Sequence, residues 1–130
     1  MLKKFVRTMA YIGGIVTGFY LFASAPGIHK KKKWQHLTGW DYAHRGLYDN
    51  EHGIPENSMA AFRRAVDKGY GIELDVHLTA DNQLVVFHDD TLTRMCGMNK
   101  KISSFLYSDL MQLRLLGTEE GIPLFKDVLE

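Results

Sequence analysis

The chain has a single cysteine, Cys96, among its 130 residues. One cysteine permits no internal disulfide and is compatible with a reducing compartment. There is also no acidic residue in the first 33 positions, which carry seven positive ones: Lys3, Lys4, Arg7 and Lys30 to Lys33. The rest of the chain holds nine positive and fifteen negative residues, so the formal charge of +1 conceals a basic end on a body of net −6. A nucleic-acid binder spreads lysine and arginine over its folded face, and that class is excluded here. A basic end on an acidic body suits a membrane end joined to a domain that attracts cations. The overall composition, 45% hydrophobic and 24% charged, is that of an ordinary globular domain.

Charge is missing altogether from Thr8 to His29, which contain no Lys, Arg, Asp or Glu. As a helix this stretch reaches roughly 33 Å, enough to cross the hydrocarbon core of a bilayer. Gly14 and Gly18 have the spacing of a Gly-x-x-x-Gly packing face. Ala23-Ser24-Ala25 has the form of a signal-peptide cleavage site, but Pro26 would follow the cut, where proline fits the peptidase poorly. The expectation is therefore an uncleaved single-pass anchor over residues 1–29. A basic and aromatic linker follows over 30–40, with its lysines near anionic headgroups and Trp34 and Trp40 at the interface. Four lysines after the span against three basic side chains and the α-amine before it lean toward a cytoplasmic body, residues 41–130.

In that body, residues 72–78 alternate. Ile72, Leu74, Val76 and Leu78 are apolar, and Glu73, Asp75 and His77 lie between them. Period two predicts a strand with Glu73 and Asp75 on one face. Asp81-Asn82 predicts a tight turn, and Leu84 to His88 a returning strand. A two-residue loop would pair Ala80 with Gln83 and set Asp75 opposite His88. Upstream, Trp40 to His44 reads as a short strand. A helix follows Pro55-Glu56-Asn57-Ser58, with Ser58 or Asn57 as N-cap, Met59, Phe62 and Val66 inward, and Gly69 as its stop. Strand, helix and strand with short joints imply a parallel sheet. Thr91 to Ser104 reads as polar and irregular. Ser108 is expected to cap a helix over Asp109 to Leu116, and Ile122-Pro123-Leu124 to open another.

His44-Arg45-Gly46, Pro55-Glu56-Asn57-Ser58, Glu73-Leu74-Asp75-Val76, Thr79-x-Asp81 and His88-Asp89, in that order, resemble the glycerophosphodiester phosphodiesterase family from about Tyr42 to Glu130. The resemblance implies an α/β fold, the N-terminal part of a (β/α)8 TIM barrel, which takes about 250 residues when complete. Residues 41–130 would supply two barrel strands, one full helix, an insertion and the start of a second helix. The C-terminal remainder of the barrel is then an expected partner.

The implied reaction is hydrolysis of a glycerophosphodiester to glycerol phosphate and an alcohol. His44 and His88 would be the catalytic acid–base pair and Arg45 would bind the substrate phosphate. Glu73 and Asp75 would hold a divalent cation, calcium or magnesium, with a third carboxylate from a later strand. Glu56 would contact metal or substrate. His29, His36, His52 and His77 have no counterpart in the motifs and are read as surface or structural. The tip Asp81-Asn82 departs from the family's usual Asp-Gly, and asparagine tolerates the positive φ such a turn needs. Two other readings stand beside this one: a phospholipase D-like enzyme acting on lysophospholipids or sphingolipids, and a non-catalytic membrane-anchored fragment.

Overall fold

With no charge to solvate and no proline until position 26, the N-terminal run winds as one helix, α1 (Leu2–Ser24). The structure is a computed structural model and describes residues 2–25 and 35–130. Pro26, His29, Lys30 to Lys33 and Trp34, and the linker reading placed on them, lie outside the described residues. Among the described residues α1 is the one helix long and apolar enough to cross a membrane, judged by length and composition. Phe5, Ile12, Ile15, Phe19, Leu21 and Phe22 are all exposed on it. The chain divides into two units, Met1–Thr38 and Gly39–Glu130.

The second unit opens with β1 (Tyr42–His44), α2 (Met59–Asp67) and β2 (Gly71–Glu73). β1 and β2 pair in parallel, Tyr42 with Gly71, Ala43 with Ile72 and His44 with Glu73, as strand–helix–strand patterning requires. A Cβ at Gly71 would lie 2.5 Å from the Tyr42 ring, which would have to move aside. Ser58 is the N-cap of α2, its hydroxyl accepting from the Ala61 N–H at 3.2 Å. Glu120 Oε2 accepts from the Ala60 N–H at 3.2 Å and satisfies a second orphan donor of the same helix end. Gly69, at φ +74, follows the helix end. The buried face of α2 is Ala61, Phe62 and Ala65. Val66, expected inside, is 64% exposed. Two alanines facing inward let the helix lie close against the loop after β1, where Leu47 N–H donates to Ala61 O at 3.0 Å.

The strand expected over 72–78 is split. β2 ends at Glu73, and β3 (Val76–Leu78) pairs antiparallel with β4 (Leu84–Val86) in a separate two-stranded sheet. The expected hairpin register is also wrong by one residue. His77 pairs with Val85, and Asp75 stands opposite Phe87 rather than His88, its carbonyl accepting the Phe87 N–H at 2.9 Å. The loop has three residues, Ala80 to Asn82. Asn82 takes φ +58, as the third residue of such a loop does, and the Thr79 hydroxyl accepts the Gln83 N–H at 2.9 Å.

The segment read as polar and irregular contributes Leu92, Met95 and Ile102 to the core. Val85, Phe87, Leu92, Met95, Ile102, Leu110, Leu115, Ile122 and Leu124 form one buried cluster. Short turns of helix frame it: α3 (Thr93–Cys96), α4 (Tyr107–Leu110) and α5 (Phe125–Val128). The helix expected over 109–116 is a single turn at 107–110; the backbone is extended at Arg114 and left-handed at Leu116, so no helix runs on to 116. Ile122 to Leu124 is extended, with Val86 N–H donating to Pro123 O at 2.9 Å, and the helix starts only at Phe125.

Candidate active site

β1 and β2 end together, so His44 and Glu73 are register partners at the last position of adjacent parallel strands. The chain then turns sharply. Arg45 takes φ +59 and Gly46 φ +79. A left-handed arginine costs on the order of 1–2 kcal/mol and persists only where its surroundings hold it. Here they do: the Arg45 N–H donates to Glu73 O at 2.9 Å and to Glu73 Oε2 at 3.2 Å. The Arg45 carbonyl accepts the Asn57 N–H at 2.9 Å, and Asn57 is itself left-handed at φ +55. Gly46 cannot carry a side chain, since a Cβ would lie 2.9 Å from Ala61 Cβ and from Phe62 Cδ1. The His-Arg-Gly and Pro-Glu-Asn-Ser motifs are thus two halves of one strained junction.

The side chains continue that junction. Arg45 Nη1 donates to Glu56 Oε1 at 2.8 Å, and Arg45 Nε lies 3.6 Å from Asp75 Oδ2. Asn57 Nδ2 donates to the same Asp75 oxygen at 3.1 Å. Glu56 is 4% exposed. Its two oxygens are taken by Arg94, at 2.8 and 2.9 Å, as well as by Arg45, and Asn50 Nδ2 approaches at 3.4 Å. Burial opposes ionisation of Glu56, but the hydrogen bonds from Arg94 and Arg45 outweigh it and bring the carboxyl down to about 2. With both oxygens engaged, Glu56 orients two guanidinium groups.

The second histidine arrives on the arm after β4. His88 is exposed, and its Nδ1 lies 2.6 Å from Asp89 Oδ1. Arg94 grips Asp89 through Nε at 2.8 Å and Nη2 at 2.9 Å. The Arg94 hydrogen bonds, opposed by burial and helped by His88, lower the Asp89 carboxyl to about 2. An ionised carboxylate only accepts, so His88 Nδ1 carries the hydrogen. In the neutral ring Nε2 is then the free lone pair. His77, read as structural, donates from Nε2 to the His88 carbonyl at 3.1 Å. His52 pairs with Asp49 on the surface, Nδ1 to Oδ1 at 2.9 Å.

His44, Arg45, Glu73 and Asp75 therefore converge, with His44 Nε2 at 4.0 Å from Glu73 Oε2. His88 makes no hydrogen bond or ion pair with Glu73 or Asp75. It joins the site through Asp89, Arg94 and Glu56 instead. Sequence reasoning passed over Arg94, Asn50 and the tertiary role of Asn57, because no local spacing ties position 94 to position 56. Glu73 and Asp75 are hard oxygen donors on the same arginine, which suits a divalent cation such as magnesium or calcium. Among the described residues no group of three or more His, Cys, Asp or Glu is arranged to hold a metal.

The profile of the glycerophosphoryl diester phosphodiesterase family matches residues 44–130. Lysophospholipase D GDPD1 of Rattus norvegicus is 35% identical over 136 aligned positions, covering 94% of this chain and 42% of the relative. Glycerophosphodiester phosphodiesterase of Bacillus altitudinis is 41% identical over 96 positions, covering 68% of this chain and 38% of the relative. Among solved structures, a phosphodiesterase of Oleispira antarctica in complex with the product sn-glycerol-3-phosphate superposes with a TM-score of 0.62 at 30% identity, over 72% of this chain and 39% of that one. The chain thus spans about 40% of the length of these two curated relatives. Every residue of the junction from His44 to Arg94 lies inside the matched span, and the chain belongs to the glycerophosphoryl diester phosphodiesterase family.

Proposed function

We propose that this chain carries the acid–base and cation-binding part of a hydrolase that cleaves glycerophosphodiesters to glycerol phosphate and an alcohol. The observation that carries the reading is the pairing of His44 with Glu73 at the ends of β1 and β2, with Arg45 folded between them. In (β/α)8 barrels the chemistry sits at the C-terminal ends of the strands. Glu73 and Asp75 would hold a divalent cation, which when bound supplies Lewis-acid polarisation of the phosphoryl oxygens. His44 and His88 form the acid–base pair: one takes the proton of the attacking oxygen and the other gives a proton to the leaving alkoxide. The Asp89 bond leaves His88 Nε2 free for that transfer. Arg45, fixed by Glu56, lies beside Asp75 as the phosphate contact.

The remainder of the barrel is supplied outside the residues of this chain. Val66, Val76, Leu78 and Leu84 are exposed on the faces such a remainder would cover. α1 is the membrane anchor, and the catalytic unit faces the cytoplasm.

A lysophospholipase D-type substrate is the second reading. One observation favours it: the likeness to the rat lysophospholipase D covers 94% of this chain and so extends into the unit that contains α1, whereas the Bacillus likeness covers 68%. The test is hydrolysis of glycerophosphocholine against lysophosphatidylcholine by the full-length protein, with and without a chelator. Faster turnover of glycerophosphocholine, lost on chelation and restored by magnesium or calcium, supports the first reading. Preference for the lysolipid supports the second, and turnover indifferent to chelation removes the cation from both.

A further inference from the structure

We infer that Arg94 is a positioning residue of this site, resting on the acid–base reading of His88: it locks Asp89 against the imidazole and ties that arm to Glu56 and Arg45. All five guanidinium N–H groups are used. Nε and Nη2 form a fork on the two oxygens of Asp89, at 2.8 and 2.9 Å. Nη1 and Nη2 form a second fork on the two oxygens of Glu56, at 2.9 and 2.8 Å. The remaining hydrogen of Nη1 faces Met95 Sδ at 3.1 Å. No donor is left for a phosphate, so Arg94 acts through the residues it holds and does not touch substrate.

The placement of Arg94 explains why a residue outside the motifs matters. It lies on α3, a single turn of helix whose neighbours Leu92 and Met95 are buried in the cluster that fills the segment from Val85 to Leu124. α3 ends at Gly97, with φ +70, and the Gly97 N–H donates to Thr93 O at 3.0 Å. The core thus fixes the base of the Arg94 side chain, and the two forks fix its tip. Through those forks the hairpin arm bearing His88 is held in register with the β1 junction bearing Arg45, although His88 makes no direct bond to the carboxylates there. Asp89 alone could swing about its χ angles. Clamped by a planar guanidinium it presents Oδ1 to His88 Nδ1 in one orientation, which selects the tautomer with a free Nε2. Lysine cannot replace this arrangement, because a single ammonium cannot form two planar forks.

The experiment is Arg94→Met in the full-length protein with nitrogen-15-labelled histidine, beside Arg94→Lys and Asp89→Ala. The His88 ring nitrogen resonances are assigned and read in each, together with kcat and KM on glycerophosphocholine. In the unmodified protein the neutral His88 ring is expected to show Nδ1 as the protonated nitrogen. In Arg94→Met it shifts toward the mixture seen in Asp89→Ala, and Arg94→Lys falls between. kcat falls by about 10–100-fold with a smaller change in KM, as for other residues that orient a catalytic ligand. If Arg94→Met fails to fold, Arg94→Lys decides. Ring signals in the folded Arg94 variant matching the unmodified protein, while those of Asp89→Ala move, would overturn the inference. The ring signals do not depend on turnover. A protein inactive on every phosphodiester but with the expected tautomer shift therefore refutes the hydrolase reading while the positioning of His88 by Arg94 stands.

Discussion

Glu56 is the most constrained side chain of the site, and its consequence for pH can be worked out. Its carboxyl and that of Asp89 both lie at about 2 in the folded chain. In the unfolded chain they titrate near ~4. A depressed folded value contributes stability that is complete above the unfolded value and is lost as pH falls through the folded one. The Gly39–Glu130 unit should therefore hold its stability from neutrality down to about pH 4 and lose it steeply toward pH 2. Glu56→Gln should be less stable at pH 7, because it leaves two guanidinium groups short of a buried partner, and should show a shallower loss in acid. Urea midpoints of both proteins at pH 7, 4 and 2.5 check this; parallel curves would contradict it. At this scale His44, Arg45, Glu73 and Asp75 were named through the motifs that carry the family resemblance, and the fold brings those four residues together. Arg94 was not named. It meets Glu56 across 38 positions, and an ion pair between distant loops leaves no trace in local spacing.

Elements were legible where one period dominates and illegible where backbone exceptions do. β1 and α2 were read from a short strand pattern, a serine cap and a glycine stop, whereas the alternation over 72–78 marked one strand where the chain forms β2 and β3. The hairpin register was not legible, because Asn82 in the left-handed region lengthens the loop by one residue, and a single-residue slip moves every side chain to the other face. The core of the insertion was missed for a related reason. Leu92, Met95, Ile102, Leu110 and Leu115 are spread over short turns and share no period, yet each is 3% exposed or less. Replacing Leu92 or Leu110 by alanine should cost about 2–5 kcal/mol. Because α3 stands on this core, Leu92→Ala should also loosen Arg94. Ser58→Ala should cost about 0.5–2 kcal/mol through loss of the α2 cap. Denaturant midpoints at constant slope would measure both. A Ser58→Ala loss equal to that of Leu92→Ala would show that the cap carries more of the unit than its two bonds, to Ala61 and Pro55, explain.

For the whole molecule, the two units make separable claims. Among the described residues of its unit nothing covers the exposed apolar surface of α1, and a bilayer would bury it. The protein should stay in the membrane pellet after washing with alkaline carbonate, and deletion of residues 2–24 should release it. Retention of that deletion would place membrane attachment elsewhere. A signal sequence passes the same test of length and composition, and the size of the mature protein tells the two apart: an anchor leaves Leu2–Ser24 in place.

The catalytic claim rests on four residues that the fold brings to the ends of two strands and the arm after a third. Its most direct measurement is steady-state hydrolysis of glycerophosphocholine by the full-length protein and by His44→Ala, His88→Ala and His77→Ala. The proposed acid–base pair predicts that removing His44 or His88 lowers kcat by a factor on the order of 10²–10⁴ with a smaller effect on KM. His77→Ala, which loses one bond to the His88 carbonyl, should cost far less. Near-normal kcat in His88→Ala, or a loss in His77→Ala as large as that in His44→Ala, would contradict the assignment of the acid–base pair.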